Sequence, residues 1–471
     1  MSKLSVPTII NFVFSILRNK LLAIISGPFG LGIYSQLASI LGLITVFLPI
    51  GGMGITRSLS FYFSTDDYSK AKYIIRYFLI RNSIASIFFS VIIIFFSAPI
   101  SQFIYTDSSY SYLIVLLALT IPFSLFLNFI DIFLKSLRNI NNYVKYLIIS
   151  SLISIIITCP LIIFFGITGA VAAIIIQGLI NTIMGMYLIY KKKLFPKNII
   201  SEEIEKKEIT GVYKVGLGVL IVLIVQNLSF LLIKTEIAFD LGVAEVGMFQ
   251  SIYSISFSYL GIFFTALSIY SMPKFSTFKL KSENNTEINN TLRLLILIFT
   301  PVLSIVFACR SLLITVLFSN DFLIVKDLLF FQLLGDFFRA FSWTFGLWLI
   351  PNLKIKQWII FDLLFYSIFY LSSIVMLKYT SLGLQSVSIA YFISYLIHAS
   401  VNCINTRKYL EFRFKGTIIK EFFISILIML LILIVSYESE LTGYIIILPL
   451  LLIWFFISGG VKLFNKFYAK K

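Results

Sequence analysis

Five charged side chains fall where their neighbours leave no water to solvate them. Arg18 and Lys20 lie inside an apolar run that begins near Val6, Asp336 and Arg339 inside another, and Asp362 inside a third. A charge in hydrocarbon costs from about 2.5 to over 10 kcal/mol by different scales, so each needs a partner or a purpose. Thr8, Asn11, Ser15 and Arg18 recur at helical spacing and form one polar stripe on an otherwise apolar helix. Arg18 sits on the order of 20 Å along that helix at 1.5 Å per residue. A buried cation facing a cavity suits an anionic ligand. Lys20 lies about 200° around the same helix, so it either shares the path less directly or reaches its ammonium to the interface. Asp336 and Arg339 stand at i, i+3 and can pair on one face. They read either as a self-neutralising structural pair or as two groups acting on substrate or ion. Asp336 and Asp362 are the candidate ion-coupling carboxylates, Asp362 alternatively being solvated near an interface. Lys234, Glu236, Asp240 and Arg310 read as charges at the outer ends of their helices, Arg57 as a cytoplasmic anchor, and the single histidine, His398, as a packed and hydrogen-bonded side chain.

Those positions have meaning only on the elements that carry them. Of 471 residues, 59% are hydrophobic and 13% charged, and the mean hydropathy is +0.99. A soluble chain carries about twice that charged fraction, so lipid is the solvent here. Apolar runs of spanning length cover roughly 6–26, 31–54, 77–97, 112–134, 146–165, 168–190, 214–236, 243–271, 292–318, 328–350, 356–377, 383–406, 419–437 and 441–461. The expected fold is all-α, a polytopic membrane protein of about fourteen transmembrane helices.

Charge placement orients it. The net charge is +17, yet the basic residues collect in alternate loops rather than in a nucleic-acid-binding patch, so no nucleic acid is expected. Even-numbered connections carry Arg57, Lys70, Lys72 and Arg76; Lys135, Arg138 and Lys145; Lys191 to Lys193; Lys274, Lys279, Lys281 and Arg293; Lys354 and Lys356; and Arg407, Lys408, Arg413, Lys415 and Lys420. Lys462, Lys466, Lys470 and Lys471 follow the last run. Odd-numbered connections keep Lys234, Lys326 and Lys378 among neutral or acidic residues such as Asp107, Asp321, Glu438 and Glu440. That asymmetry puts both termini in the cytoplasm. No cleavable leader is expected, because the first apolar run continues too far.

The chain also repeats itself. Gly27-Pro-Phe-Gly-Leu-Gly32-Ile-Tyr34 matches Gly242-Val-Ala-Glu-Val-Gly247-Met-Phe249 at an offset of 215, and Gly166-Ile167 matches Gly383-Leu384 at 217. The reading is two pseudo-symmetric six-helix lobes, 1–193 and 214–410, joined by a cytoplasmic linker at 194–213, with two further helices in 411–471. Parallel repeats of this kind place an axis along the membrane normal and a cavity between lobes. Glycines at these positions let the chain reverse tightly. No phosphate-loop, Ser/His/Asp set or paired-histidine metal motif is present, and Cys159, Cys309 and Cys403 lie in apolar stretches, with neither disulfide nor zinc spacing. No cofactor or metal is expected, and H⁺ or Na⁺ coupling is the candidate energy source.

Several segments carry a family resemblance: Arg18-x-Lys20-x-x-Ala23 leading to Gly27-Pro28-x-Gly30, the turn Gly51-Gly52-Met-Gly54, Gln332-Leu-Leu-Gly335-Asp336, Gly383-Leu-Gln and Ala390-Tyr391. Over roughly 5–410 the chain resembles the Wzx-type polysaccharide repeat-unit flippases of the multidrug/oligosaccharidyl-lipid/polysaccharide exporter superfamily. The resemblance implies a non-enzymatic transporter of the bacterial inner membrane. Its substrate would be an undecaprenyl-diphosphate-linked oligosaccharide such as an O-antigen unit, moved by alternating access. The partners it implies are a polysaccharide polymerase and a chain-length regulator. Arginine suits such a cargo, because its planar fork grips two phosphate oxygens at once. A drug or cation antiporter of the same superfamily is the alternative, and would want acidic residues in the first lobe. A membrane-embedded polymerase or acyltransferase is another, and would want a large external loop.

Overall fold

A computed structural model of the chain describes residues 2–47, 52–137, 140–191, 206–277 and 280–457. Among these every regular element is helical. In hydrocarbon a backbone must satisfy its own N–H and C=O groups, and a helix does so within one segment. The basic positions Arg138, Lys192, Lys193, Lys279, Lys462, Lys466, Lys470 and Lys471, the glycine Gly51 and most of the expected linker lie outside the described residues.

The succession is α1 (Ser2–Phe47), α2 (Gly52–Ser64), α3 (Tyr68–Phe95), α4 (Ser97–Tyr105), α5 (Ser111–Ala118), α6 (Ile121–Ser136), α7 (Ile140–Lys191), α8 (Lys206–Asp240), α9 (Val243–Tyr253), α10 (Leu260–Thr277), α11 (Lys281–Ala308), α12 (Arg310–Leu317), α13 (Leu329–Gly346), α14 (Ile355–Tyr379), α15 (Gln385–Leu410), α16 (Gly416–Glu438) and α17 (Glu440–Ile457). A π-helical turn, Ser254–Tyr259, joins α9 to α10. Among the described residues, ten helical stretches are long and apolar enough to cross a membrane. Two of them run to 41 and 51 residues, far beyond the ~20 that one crossing needs. Each is broken by a single glycine of non-helical geometry with helix on both sides: Gly27 at φ 62°, ψ −165° in α1, and Gly166 at φ 56°, ψ −129° in α7. Pro28 directly after Gly27 removes a donor the new helix start does not need.

Several boundaries differ from the apolar runs, among them two that hide a break in an apolar stretch. The run at 31–54 ends as a helix at Phe47, and Gly52–Ser64 forms a separate amphipathic helix. The run at 292–318 is two helices, since α11 stops at Ala308 and α12 restarts at Arg310. Hydropathy sees apolar length and is blind to a one-residue break.

The chain divides into two compact units, Met1–Met248 and Phe249–Lys471. The division falls after α8, the helix that sequence reasoning puts at the head of the second lobe. In the first unit Gly32 and Gly247 bring two helix starts together backbone to backbone: a Cβ on Gly32 would strike the Val243 carbonyl, and one on Gly247 the Pro28 carbonyl. In the second unit α16 is fastened to α11. Asn289 donates to the Arg413 carbonyl at 3.1 Å and accepts from the Lys415 N–H at 3.0 Å, and Arg293 pairs with Glu421 at 3.0 Å.

Candidate functional site

In the first unit the polar stripe of α1 meets two different surroundings. Asn11 accepts a 2.7 Å hydrogen bond from Ser151, which fastens the start of α1 to α7. Ser15 and Lys20 are half-buried. Arg18 lies with its guanidinium 5.1 Å from the Tyr34 ring centre and 5.7 Å from that of Phe14. Its Nε is buried without a hydrogen-bond partner, and Nη2 reaches only the Asn19 amide oxygen at 3.5 Å. Arg18 therefore rests on aromatic faces, a cation–π setting worth about 0.5–2 kcal/mol, and makes no ion pair among the described residues.

Lys234 corrects an expectation. Read from the sequence as an outer-surface charge, it is 5% exposed. Its Nζ donates to the Ser35 carbonyl and to Ser39 Oγ, each at 3.0 Å. Beside it the buried Gln36 donates to the Ile104 and Lys234 carbonyls at 3.0 and 3.3 Å. The misreading arose because α8 continues to Asp240, six residues past Lys234. The repeat carried the missing signal: at the 215 offset Lys234 falls on Asn19, between Arg18 and Lys20.

The second unit treats charge differently. Asp336 is wholly buried, and both of its carboxylate oxygens are hydrogen-bonded. Oδ1 accepts from Tyr391 Oη at 2.9 Å and from Arg339 Nη1 at 3.3 Å, while Oδ2 accepts from Ser256. Arg339 also donates to the Phe257 carbonyl at 3.2 Å and lies 3.9 Å over the Phe257 ring and 4.8 Å over that of Phe264. The π-helical turn supplies both Ser256 and Phe257, in keeping with the habit of such turns to mark functional places in helices. Gly335 makes room for the arrangement, because a side chain there would run into the Tyr391 ring.

One helical turn from this cluster lie Gln332 and Ser388, and on α14 Ser373 stands one turn from Phe369, whose ring centre is 5.7 Å from that of Tyr391. All three are buried, and Gln332 Oε1 and Nε2, Ser373 Oγ and Ser388 Oγ have no hydrogen-bond partner. Further along α15, His398 Nδ1 meets Ser342 Oγ at 2.7 Å, and Nε2 is 3.8 Å from Asp362 Oδ1. Asp362 is thus partly shielded, with 24% of its side chain exposed, rather than fully solvated. Arg310 is also buried, paired with Asp327 at 3.0 Å and stacked 4.5 Å over Phe307.

Of the sequence candidates, the structure gathers Asp336 and Arg339 into one cluster and Arg18 with Asn11 onto one helix. Asp362 belongs to a separate pair with His398. Ser256, Phe257 and Tyr391 were not singled out as functional. Tyr391 sits in a motif that carried the family resemblance, which was its signal, whereas nothing in the sequence marks a π-helical turn. No group of three or more metal-ligating side chains occurs among the described residues.

Comparison with known proteins gives this geometry its relatives. Residues 2–279 match the family described as polysaccharide biosynthesis protein. The chain belongs to that family. It is 23% identical over 400 residues to the lipid III flippase of Escherichia coli K12, covering 84% of this chain and 94% of that one. The Shigella flexneri lipid III flippase matches equally. Among solved structures, an inward-facing multidrug resistance transporter of the MATE family, MOP superfamily, superposes with a TM-score of 0.74 at 14% identity, over 87% of this chain and 97% of the other. The lipid II flippase MurJ superposes with a TM-score of 0.71 at 17% identity, over 96% and 97%. The fold of this multi-pass membrane protein is that of transporters rather than of enzymes.

Proposed function

We propose that the protein is a flippase that carries an undecaprenyl-diphosphate-linked oligosaccharide, an O-antigen or similar polysaccharide repeat unit, across the inner membrane by alternating access. The observation that carries this reading is Arg18, a cation in a spanning helix whose neighbours are aromatic faces and no carboxylate. A cation with an acidic partner must give that partner up to bind an anion; Arg18 has none to give up. The kinship with lipid III flippases supports the same cargo class. Asp336 and Asp362 are the candidate groups for H⁺ or Na⁺ coupling. An inside-negative potential helps an anion outward by about 2.3 kcal/mol per charge per 100 mV.

The test is polysaccharide display in a strain lacking the gene, normalised to protein in the membrane fraction. Arg18→Ala should abolish nearly all display while insertion survives, and Arg18→Lys, which keeps charge but loses the fork, should retain part of it. Near-normal display by Arg18→Ala would remove Arg18 from the substrate path. Orientation has its own check. Cysteines placed at Asp107, Asp321 and Ser439 should react with an impermeant thiol reagent in intact cells, and one at Lys408 should not.

A further inference from the structure

Lys234 brings an ionisable amine into the interior of the first unit, and among the described residues no carboxylate pairs with it. An ammonium has three donors, and the protein meets two of them, with the Ser35 carbonyl and Ser39 Oγ. Neither acceptor neutralises the charge. A glutamine could make the same two bonds without bringing a charge into a spanning helix, so the charge itself needs a reason. Arg18 poses the same problem in the same unit. Arg18 lies against Tyr34 and Lys234 against Ser35, consecutive residues whose Cα atoms are about 3.8 Å apart. Depth agrees as well: Arg18 is nine residues before the Gly27 turn and Lys234 eight before Gly242, so both stand about 12–13 Å from their turns. Arg18 and Ser39 are half-buried, leaving this edge approachable.

We propose that Lys234 is the second cation of a diphosphate site whose first is Arg18, held in this structure by protein oxygens that a phosphoryl group replaces. This rests on the lipid-diphosphate reading above and adds to it a division of labour. The arginine fork takes two oxygens of one phosphoryl group, and the lysine point charge, once released from Ser39 Oγ, takes the other. A lipid monophosphate offers nothing to Lys234. The pair therefore selects a lipid diphosphate over a lipid monophosphate.

The experiment measures binding of undecaprenyl diphosphate and undecaprenyl monophosphate to the purified full chain in nanodiscs. The unaltered protein should prefer the diphosphate by about tenfold. Lys234→Gln, which keeps hydrogen-bond donors and loses the charge, should bring the preference below about twofold, Lys234→Arg should preserve it, and Arg18→Ala should weaken both lipids. Binding of neither lipid by the unaltered protein overturns the substrate reading. Full diphosphate preference in Lys234→Gln overturns this inference alone and leaves Lys234 a structural clamp. Should Lys234→Gln not reach the membrane, Ser39→Ala decides. Removing one of the two oxygens that hold the ammonium should tighten diphosphate binding about threefold, whereas a purely structural lysine leaves it unchanged or weaker.

Discussion

The two units share a plan and differ in how they treat charge. Gly27 and Gly166 in the first unit and Gly383 in the second adopt positive φ, as does Gly242 near the end of the first unit. The long helices α3 and α11 each end on one non-helical residue, Phe96 at φ −94°, ψ 15° and Cys309 at φ −94°, ψ 20°, before a short helix and a 3₁₀ turn. Upon that common frame the first unit sets Arg18 and Lys234 on ring faces and a backbone carbonyl, without ion pairs. The second sets Arg339 on Asp336, Arg310 on Asp327 and Arg293 on Glu421. Turn geometry and helix length can recur without the side chains recurring, so two units with like helix breaks hold their buried cations in different ways. An unpaired cation is ready for an anionic ligand; a paired one responds to whatever alters its partner.

The contrast is broken most severely at Asp336. Asp336→Asn should abolish transport, because it leaves Arg339 charged in a low-dielectric setting, a loss of about 3–5 kcal/mol when one partner of a buried pair is removed. Adding Arg339→Gln should restore part of the display. A double variant that is dead although each single variant is inserted would show that the two residues act separately on substrate or ion. A somewhat smaller effect tests the shared frame. Gly247→Val places branched carbon against the Pro28 carbonyl and should cost about 1–3 kcal/mol, the usual range for overpacking, read as a lower unfolding temperature of the purified protein. The same substitution at Gly443, which faces the Ser436 side chain rather than a backbone carbonyl, should be milder, and equal costs would count against a special backbone contact at Gly32 and Gly247. The smallest change is expected from Ser256→Ala, which removes one of three donors to Asp336. It should lower display two- to threefold, about 0.5 kcal/mol, with Tyr391→Phe comparable.

The sequence made the helical membrane architecture and the Asp336–Arg339 pair legible, since each depends on local spacing: apolar length and an i, i+3 interval. It did not disclose Tyr391 and Ser256 as partners of Asp336, because those contacts join residues 55 and 80 positions apart. Lys234 was misjudged for a related reason. Whether a charge near a helix end meets water or protein depends on what packs beside it, and the residues that cover Lys234 come from α1, some two hundred positions earlier. The break at Cys309 escaped notice because the residues around it are apolar on both sides.

The wide turn at Ser254–Tyr259 ties the shape of a helix to the state of a charge. A π-helical segment lengthens its hydrogen bonds to i+5, and here one of its carbonyls, that of Phe257, accepts from Arg339 while Ser256 serves Asp336. Rewinding the segment to ordinary α geometry would turn both groups away together. Anything that changes the charge of the Asp336 cluster therefore biases the winding of this segment, and anything that pulls on α9 or α10 biases the charge, since such couplings run equally in both directions. A proton or cation arriving at one carboxylate can in this way be read out as rotation of a helix, without touching the cargo.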